Sequence, residues 1–316
     1  MNDPRPRNSG PGRGRLLTLA AAGLVLALAV GALIWPGDGG MRGQGVFLVF
    51  DSSGRVERTD EVFEPLALFL EDVTGRPLDI VVVGTREEFA AQIGRGADLA
   101  FGPDGLAIGL DPERYPPLVV GRRAAPRNLR PRGVLVYRKS AGAIAEPWNV
   151  RPGRTVFGDS LSLAATGAWR RIGSVGSAAP PSMEACAWGP DTYDHGPVLH
   201  ATRLGAFDYA VVRQWDADRF FKGGLLLPLE WGVEPLTVPV PDVVLTAGPG
   251  LDRATRIELA DRLSAIGRHS EGESPLERRL RGALARLGLV GFNVLIEPDF
   301  DLVRRNYAAD WLPKAD

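Results

Sequence analysis

The sequence predicts an α/β fold, and three observations support this class. Residues 63–103 alternate helix and strand patterns, and 45% of the 316 residues are hydrophobic, which is ample for buried cores. The length suits two domains or one large domain. The net charge of -1, from 37 basic and 38 acidic residues, lacks the basic excess of nucleic-acid-binding proteins and argues against that class.

The first predicted strand covers residues 46–50, a continuous apolar run suited to a buried parallel strand. Apolar residues then recur at helical spacing up to Gly75, which predicts a helix that ends there, and residues 78–83 form a β-branched run typical of a strand. A second amphipathic helix over residues 87–93 leads to a strand over residues 98–101, followed by a Gly-Pro loop. Such a βαβ unit ends at the carboxyl edge of a parallel sheet, where open α/β folds bind ligands.

The later part of the chain continues this alternation. Strands are predicted near residues 133–137, 155–157 and 209–212, and helices over residues 160–171 and 252–266. No internal repeat of fixed period interrupts the pattern.

The N-terminus predicts a membrane segment. Residues 1–15 carry four arginines and one acid and are expected to form a cytoplasmic basic tail, whereas residues 16–35 carry no charge. Twenty apolar residues span roughly the 30 Å hydrocarbon core, so this segment is interpreted as a transmembrane anchor that leaves the rest of the chain exported. A cleaved signal peptide, with residues 29–31 as its small-x-small motif, is the alternative. Residues 36–45 are expected to form a flexible linker.

Several short motifs, in order, resemble those of a known family. The helix and strand pattern of its first lobe is matched by Pro65, Leu66, Ala67, Leu70, Gly75, Pro77, Gly96, Asp98, Leu99, Ala100, Gly102 and Pro103. Its lobe crossing is matched by Arg138 and Ser140, and its histidine motif by His195, Leu199, Ala201, Gly205 and Asp208. By these residues the chain resembles the periplasmic substrate-binding proteins of phosphate, phosphite and phosphonate ABC transporters.

The resemblance implies a type 2 periplasmic-binding-protein fold with two lobes. Each lobe is expected to be a mostly parallel sheet flanked by helices, with the N-terminal transmembrane or signal helix in addition. Residues 46–132 and 241–316 are expected to form lobe one, and residues 133–240 lobe two.

The resemblance also implies a ligand site between the lobes, where helix N-termini and loop amides supply donors to an anion. The loop after the first strand, the Gly-Pro loop, the start of the helix near residue 160 and the histidine motif contribute to it. The ligand-binding candidates are Ser52, Phe101, Gly102, Pro103, Asp104, Ser160, Ser162, Thr166, Tyr193 and His195.

One part of this site departs from the family pattern. Where the family has Thr, Ser and Gly after the first serine of the helix start, this chain has Leu163, Ala164 and Ala165. Two side-chain donors are thereby lost, each worth about 1.5 to 3 kcal/mol toward a charged group. A phosphonate is therefore expected to bind more weakly, unless Ser160 and Thr166 compensate.

No catalytic or cofactor motif is found in the sequence, which predicts a protein that is not an enzyme. There is no Gly-x-Ser-x-Gly, no P-loop and no Gly-x-Gly-x-x-Gly, and one cysteine with three histidines gives no zinc pattern. Cys186 is interpreted as a buried or half-buried free cysteine, with a soft-ligand site as the alternative. A group of arginines is interpreted mainly as a solvated basic face, with an arginine fork for an oxyanion as the alternative: Arg122, Arg123, Arg127, Arg130 and Arg132.

Together these features predict a periplasmic protein, anchored in the inner membrane, that captures a small oxyanion for an ABC permease. The resemblance carries this expectation. The alternative is a membrane-anchored sensory or accessory subunit on the same fold, in which case the partner is a sensor kinase or a respiratory complex and arsenite is a candidate ligand of Cys186.

Overall fold

The computed structural model describes residues 44–52, 59–123, 132–141, 154–174, 187–189, 194–268 and 272–295. The predicted N-terminal segments 1–15 and 16–35 lie outside the described residues, as do Tyr193 and Cys186. None of the helices described is both long enough and apolar enough to cross a membrane.

Strands and helices alternate along the described residues. The strands are β1 (Gly45–Phe50), β2 (Leu78–Val83), β3 (Leu99–Pro103), β4 (Pro117–Arg123), β5 (Gly133–Arg138), β6 (Thr155–Phe157), β7 (Ala187–Trp188), β8 (Tyr209–Arg213), β9 (Trp231–Pro235), β10 (Val243–Ala247) and β11 (Leu289–Val294). The α-helices are α1 (Glu64–Thr74), α2 (Arg86–Arg95), α3 (Asp104–Ile108), α4 (Leu163–Ser174), α5 (Gly196–Arg203), α6 (Gln214–Lys222), α7 (Arg253–Ala265) and α8 (Pro275–Arg286).

The helices and strands predicted over residues 46–103 are confirmed, and local hydrogen bonds explain where two of the helices end or begin. Gly75 has φ of 68° and its N–H donates to the Glu71 carbonyl, which ends α1 as the glycine predicted. The α2 helix begins with a capping box, because the Thr85 side chain accepts from the Glu88 N–H while the Glu88 side chain accepts from the Thr85 N–H.

The first sheet has the strand order β11-β4-β10-β3-β1-β2. Strand β1 pairs in parallel with both β2 and β3, which confirms the predicted βαβ unit. Strand β10 is antiparallel to β3 and to β4, and β11 is antiparallel to β4. We call this sheet, with helices α1 to α3, α7 and α8, lobe one.

The second sheet has the order β7-β6-β8-β5-β9. Strand β6 is parallel to β7 and β8, whereas β5 is antiparallel to both β8 and β9. We call this sheet, with helices α4 to α6, lobe two. The residue boundaries predicted for the lobes remain a prediction.

The expectation of mostly parallel sheets is wrong, because both sheets are mixed. Strands joined by a helix within one sheet usually run parallel, as β2 and β3 do on the two sides of β1. Strands β5 and β10 each follow, along the chain, a strand of the other sheet. They are free of that constraint, and both run antiparallel to their neighbours.

Two kinds of hydrophobic core result. Each sheet has a core of its own, built around Phe47, Phe69 and Phe292 in lobe one and around Val136, Val212 and Phe220 in lobe two. Two further clusters join both lobes. In one of them Leu161 of lobe two lies with lobe-one residues, and in the other Leu163 and Ala164 lie with Val120 and Val244. The two lobes are therefore in direct contact beside the predicted ligand site.

Candidate functional site

The lobes meet where α3 of lobe one faces the segment that precedes α4 of lobe two. The Gly105 N–H donates to the Leu161 carbonyl over 3.0 Å. A Cβ at residue 105 would lie 2.3 Å from that oxygen, so only glycine allows this approach. Gly102 and Pro103 are the last residues of β3 and do not form the predicted loop. The Gly-Pro pair therefore positions α3 at the interface.

Asp104 bridges the two lobes. Its Oδ1 accepts hydrogen bonds from the Gly105 N–H (2.9 Å) and from the N–H of Leu163 (3.3 Å), the first residue of α4. Burial raises the pKa of Asp104 well above its ordinary value, and repulsion from the Asp242 carboxylate adds to this effect. The carboxyl group thus lies at a helix start in a buried, partly repulsive environment.

Apolar packing and a polar contact reinforce the same interface. The Leu161 side chain is fully buried in the cluster that holds Leu48, Phe50 and Phe89 of lobe one. Beside it, the Arg86 Nη2 of α2 donates to the Ser160 Oγ over 2.6 Å. The predicted ligand residue Ser160 is therefore engaged by an arginine of the opposite lobe.

The helix predicted from residue 160 begins at Leu163, so Ser160 and Ser162 precede it. The Ser162 Oγ is fully buried and has no hydrogen-bond partner among the described residues. Thr166 is also buried, and its hydroxyl donates to the Ser162 carbonyl over 3.0 Å. Ser162 thus offers an unused hydroxyl, whereas the Thr166 hydroxyl is bound to the backbone.

His195 is fully buried directly before α5. Its ring packs over Gly158, where a Cβ would lie 2.4 Å from the ring. The Arg213 N–H donates to Nδ1 over 2.8 Å, which places the proton of a neutral imidazole on Nε2. Nε2 lies 3.3 Å from the Asp159 Oδ2, yet neither atom has a hydrogen-bond partner within the described part of the chain.

Arg213, whose backbone N–H is bound to this histidine, links two buried carboxylates, Asp216 and Asp242. Asp242 pairs with Arg123 (2.6 Å) and lies 3.6 Å from the Arg213 Nη1. Asp216 pairs with the Arg213 Nε over 2.9 Å. Burial is the largest influence on the pKa of Asp216 and would raise it, but the charges of Arg213, His195 and Arg219 and the Arg213 hydrogen bond together lower the pKa. Within the described ranges, no group of three or more His, Cys, Asp or Glu side chains is arranged to hold a metal ion.

The predicted site residues thus fall into three groups. Asp104, Ser160 and Ser162 lie at the contact of the lobes, and His195 adjoins them through Asp159. Phe101 faces the lobe-one core, where its ring lies 6.4 Å from those of Phe63 and Phe292, so it has no side-chain role at the interface. Ser52 is half-buried after β1, and Tyr193 lies outside the described residues.

Sequence reasoning missed several residues of this interface. They are Arg86, Gly105, Asp159, Leu161, Arg213, Asp216 and Asp242. The burial of the charged residues Asp159, Arg213, Asp216 and Asp242 was not predictable, because single charged residues next to strands are ordinarily solvated. Arg123, interpreted as part of a solvated face, instead pairs with the buried Asp242 and lies over the Trp215 ring at 4.6 Å. The proline-flanked Asp242 directly before β10 was the one available signal.

Comparisons with known proteins identify the fold. No family model matches the chain, and no curated protein matches it in sequence. XAC2383 from Xanthomonas citri, solved with ATP, has a TM-score of 0.61 at 16% identity over 84% of this chain and 97% of its own. The same protein solved with chloride gives 0.60 at 17% identity, with the same coverage.

Two phosphonate-related structures are also similar. PhnD1 from Prochlorococcus marinus (MIT 9301), in complex with methylphosphonate, has a TM-score of 0.58 at 12% identity over 83% of this chain and 96% of its own. A binding protein component of an ABC phosphonate transporter from Pseudomonas aeruginosa gives 0.55 at 13% identity over 84% and 85%. This chain therefore has the fold of periplasmic solute-binding proteins, as the resemblance implied.

Proposed function

We propose that this chain is a periplasmic solute-binding protein that captures a small oxyanion between its lobes and delivers it to an ABC permease. One observation carries the proposal: the Ser162 hydroxyl, directly before α4, and the His195 Nε2 are fully buried without hydrogen-bond partners among the described residues. Buried donors of this kind cost free energy unless a partner accepts from them.

The helix start that follows Ser162 suits an anion. The start of a helix carries a partial positive charge and presents N–H groups to a ligand. The ligands of the similar structures named above, which are chloride, ATP and methylphosphonate, are all anions and support this choice by analogy of fold. An inner-membrane anchor over residues 16–35 completes the proposal.

A sensory or accessory role on the same fold is the second candidate, and one observation favours it. The lobes are joined by their own atoms, through the Gly105–Leu161 hydrogen bond, the Asp104–Leu163 hydrogen bond and the buried Leu161 side chain. A protein whose lobes adhere by such contacts can present a fixed surface to a sensor kinase.

Calorimetry and thermal shift on the full-length protein test the first candidate. The panel is phosphate, phosphite, methylphosphonate, sulfate and selenite; arsenite, the candidate ligand of the sensory role, is measured separately. A ligand at 100 times its dissociation constant should stabilise the protein by about 2.7 kcal/mol. Absence of both heat and stabilisation across the panel would leave the sensory candidate.

A matched pair of variants locates the site. Ser162→Ala should weaken the binding of the oxyanion by about 1.5 to 3 kcal/mol, because one hydrogen bond to a charged group is lost. Ser264→Ala is the control, since its hydroxyl donates to the Asp261 carbonyl on α7, away from the lobe contact. Equal affinities of the two variants would show that the ligand binds elsewhere.

A further inference from the structure

Asp104 occupies the helix start that an oxyanion would need. Its Oδ1 accepts the Leu163 N–H at 3.3 Å, and its side chain is only 1% exposed. The first N–H groups of a helix are the donors that anion sites use. A carboxylate oxygen of the chain itself therefore holds one of them.

We propose that the Asp104 carboxylate is an intramolecular competitor for the anion position between the lobes. The inference rests on the proposed function, because it assigns to Asp104 the control of affinity at that same site. A free oxyanion gains the Leu163 N–H only when Asp104 releases it.

The connectivity makes this competition effective. Asp104 reaches α4 from the opposite lobe but within the same chain, 59 residues before Leu163. A tethered group acts at an effective concentration in the millimolar range or higher. The apparent dissociation constant of an oxyanion equals its intrinsic value divided by the fraction of molecules in which the site is open. Asp104 thereby raises the ligand concentration at which the protein responds.

The surrounding charges act in the same direction. The charged groups that interact with Asp104 include Asp242, Asp159 and Arg213. The Arg213 guanidinium also lies next to Asp216 and Asp242, so its positive charge is divided among three carboxyl groups. An incoming anion meets Asp104 at the helix start and the carboxylates coupled to it, and loss of Asp104 lowers the repulsion.

Release of Asp104 also loosens the lobes. The Gly105 N–H, next to Asp104 in the chain, donates to the Leu161 carbonyl of lobe two over 3.0 Å. The amides of Gly105 and Leu163 therefore report the contact from its two sides. Their hydrogen exchange rates give a readout that needs no ligand.

The test compares the full-length parent with Asp104→Ala and Asp104→Asn. Asp104→Ala frees the Leu163 N–H, whereas Asp104→Asn keeps an acceptor oxygen and removes only the charge. Asp218→Asn is the control, because Asp218 is exposed on α6. Calorimetry with sodium phosphite and with methylphosphonate gives the affinities, and hydrogen exchange is followed at Gly105 and Leu163.

We expect Asp104→Ala to bind phosphite at least about tenfold more tightly than the parent, the ratio for a site that a tethered group holds in nine molecules of ten. Exchange at Gly105 and Leu163 should accelerate in this variant. Asp104→Asn should bind phosphite with intermediate affinity, and it serves as the test if Asp104→Ala does not fold. Asp218→Asn should match the parent.

Two results would overturn the proposal, and they differ. If the parent binds phosphite and both Asp104 variants bind it equally or more weakly, the competition is refuted while the proposed function stands. If neither the parent nor any variant binds either oxyanion, the proposed function and the competition fail together. Accelerated exchange in Asp104→Ala would then still identify Asp104 as a structural contact of the lobes.

Discussion

Helix starts in this protein are stabilised in two ways. In α2, α7 and α8 a first-turn N–H donates a hydrogen bond to a side chain three residues earlier in the sequence. The accepting side chains are those of Thr85, Asp252 and Ser274. The α4 helix instead has its Leu163 N–H accepted by Asp104, which belongs to the other lobe. Three helices are thus capped by their own sequence, and α4 by the tertiary structure.

The difference shows which helix is tied to the arrangement of the lobes. A local cap forms with the helix itself and depends on nothing distant. The Asp104 contact exists only while α3 and α4 lie together, so the start of α4 changes when the lobes move. This dependence is what a ligand site between two lobes requires, and the following predictions test it.

The largest expected effect concerns Arg213, which balances the buried charges near α4. Arg213→Ala removes the guanidinium that pairs with the buried Asp216 and lies near Asp242. The variant should therefore destabilise the protein by about 3 to 5 kcal/mol. Chemical denaturation measures the loss. Arg154→Ala, which removes an exposed pair with Asp208, is the control and should leave the midpoint unchanged. Equal losses in both variants would contradict the distinction between buried and exposed pairs.

The next effect concerns the apolar contact between the lobes. Leu161→Ala removes a fully buried side chain from the cluster with Leu48 and Phe50, and should cost about 2 to 5 kcal/mol. It should also accelerate hydrogen exchange at Leu163 but not in α8. Leu229→Ala is the matched control, because Leu229 is 91% exposed. A Leu161→Ala protein as stable as the control would show that the lobes do not depend on this contact.

A pH series isolates the charge at the distant cap. The folded-state pKa of Asp104 is raised by burial and by Asp242, so the folded protein holds this proton more tightly than the unfolded chain. The resulting stability is fully present below the unfolded pKa, about 3.9, and is lost as the pH rises through the folded-state pKa.

The Asp104→Asn variant has no carboxyl group at this position, so it does not lose stability in this way as the pH rises. Its Tm should exceed that of the parent by a difference that grows with rising pH, and the two proteins should converge in acid. Thermal melts between pH 4 and pH 8 measure the difference, with Asp218→Asn as the control for a carboxylate exposed to solvent. A pH-independent difference for Asp104→Asn would show that the carboxyl group is not coupled to folding.

The smallest effect concerns a local cap. Ser274→Ala removes the acceptor of the Glu277 N–H and half of a capping box, and should cost about 1 kcal/mol. Hydrogen exchange should accelerate in the first turn of α8 and stay unchanged at Leu163 and Gly105. Acceleration at the lobe contact would erase the proposed difference between the two kinds of helix start.

Much of the secondary structure was predictable, because its determinants lie within a few residues of one another. Helical spacing and Gly75 gave α1 and its end, and the β-branched run gave β2. Short motifs in order indicated the fold. The start of α4 was placed three residues too early, because Ser160 and Ser162 have the composition of a helix start while Asp159 and Asp104 hold the local amides in a turn.

The candidate site was predictable only in part. Its location at the lobe contact followed from family motifs around Asp104, Ser162 and His195. The pairing of Asp242 with Arg123 was not predictable, since the two residues are 119 positions apart. The packing of Phe101 on the lobe-one core was not predictable either, because a buried aromatic residue in a strand can face either side of the sheet.

The sequence by itself determined the order of strands and helices, the capping of α2 and α8 and the resemblance to binding proteins of this fold. Each of these depends on side-chain periodicity or on hydrogen bonds between near neighbours. Only the tertiary structure decided the mixed direction of the sheets, the burial of Asp104 and Asp242 and the contact of Leu161 with lobe one. These depend on which distant segments meet, and in this chain that meeting place is also the candidate ligand site.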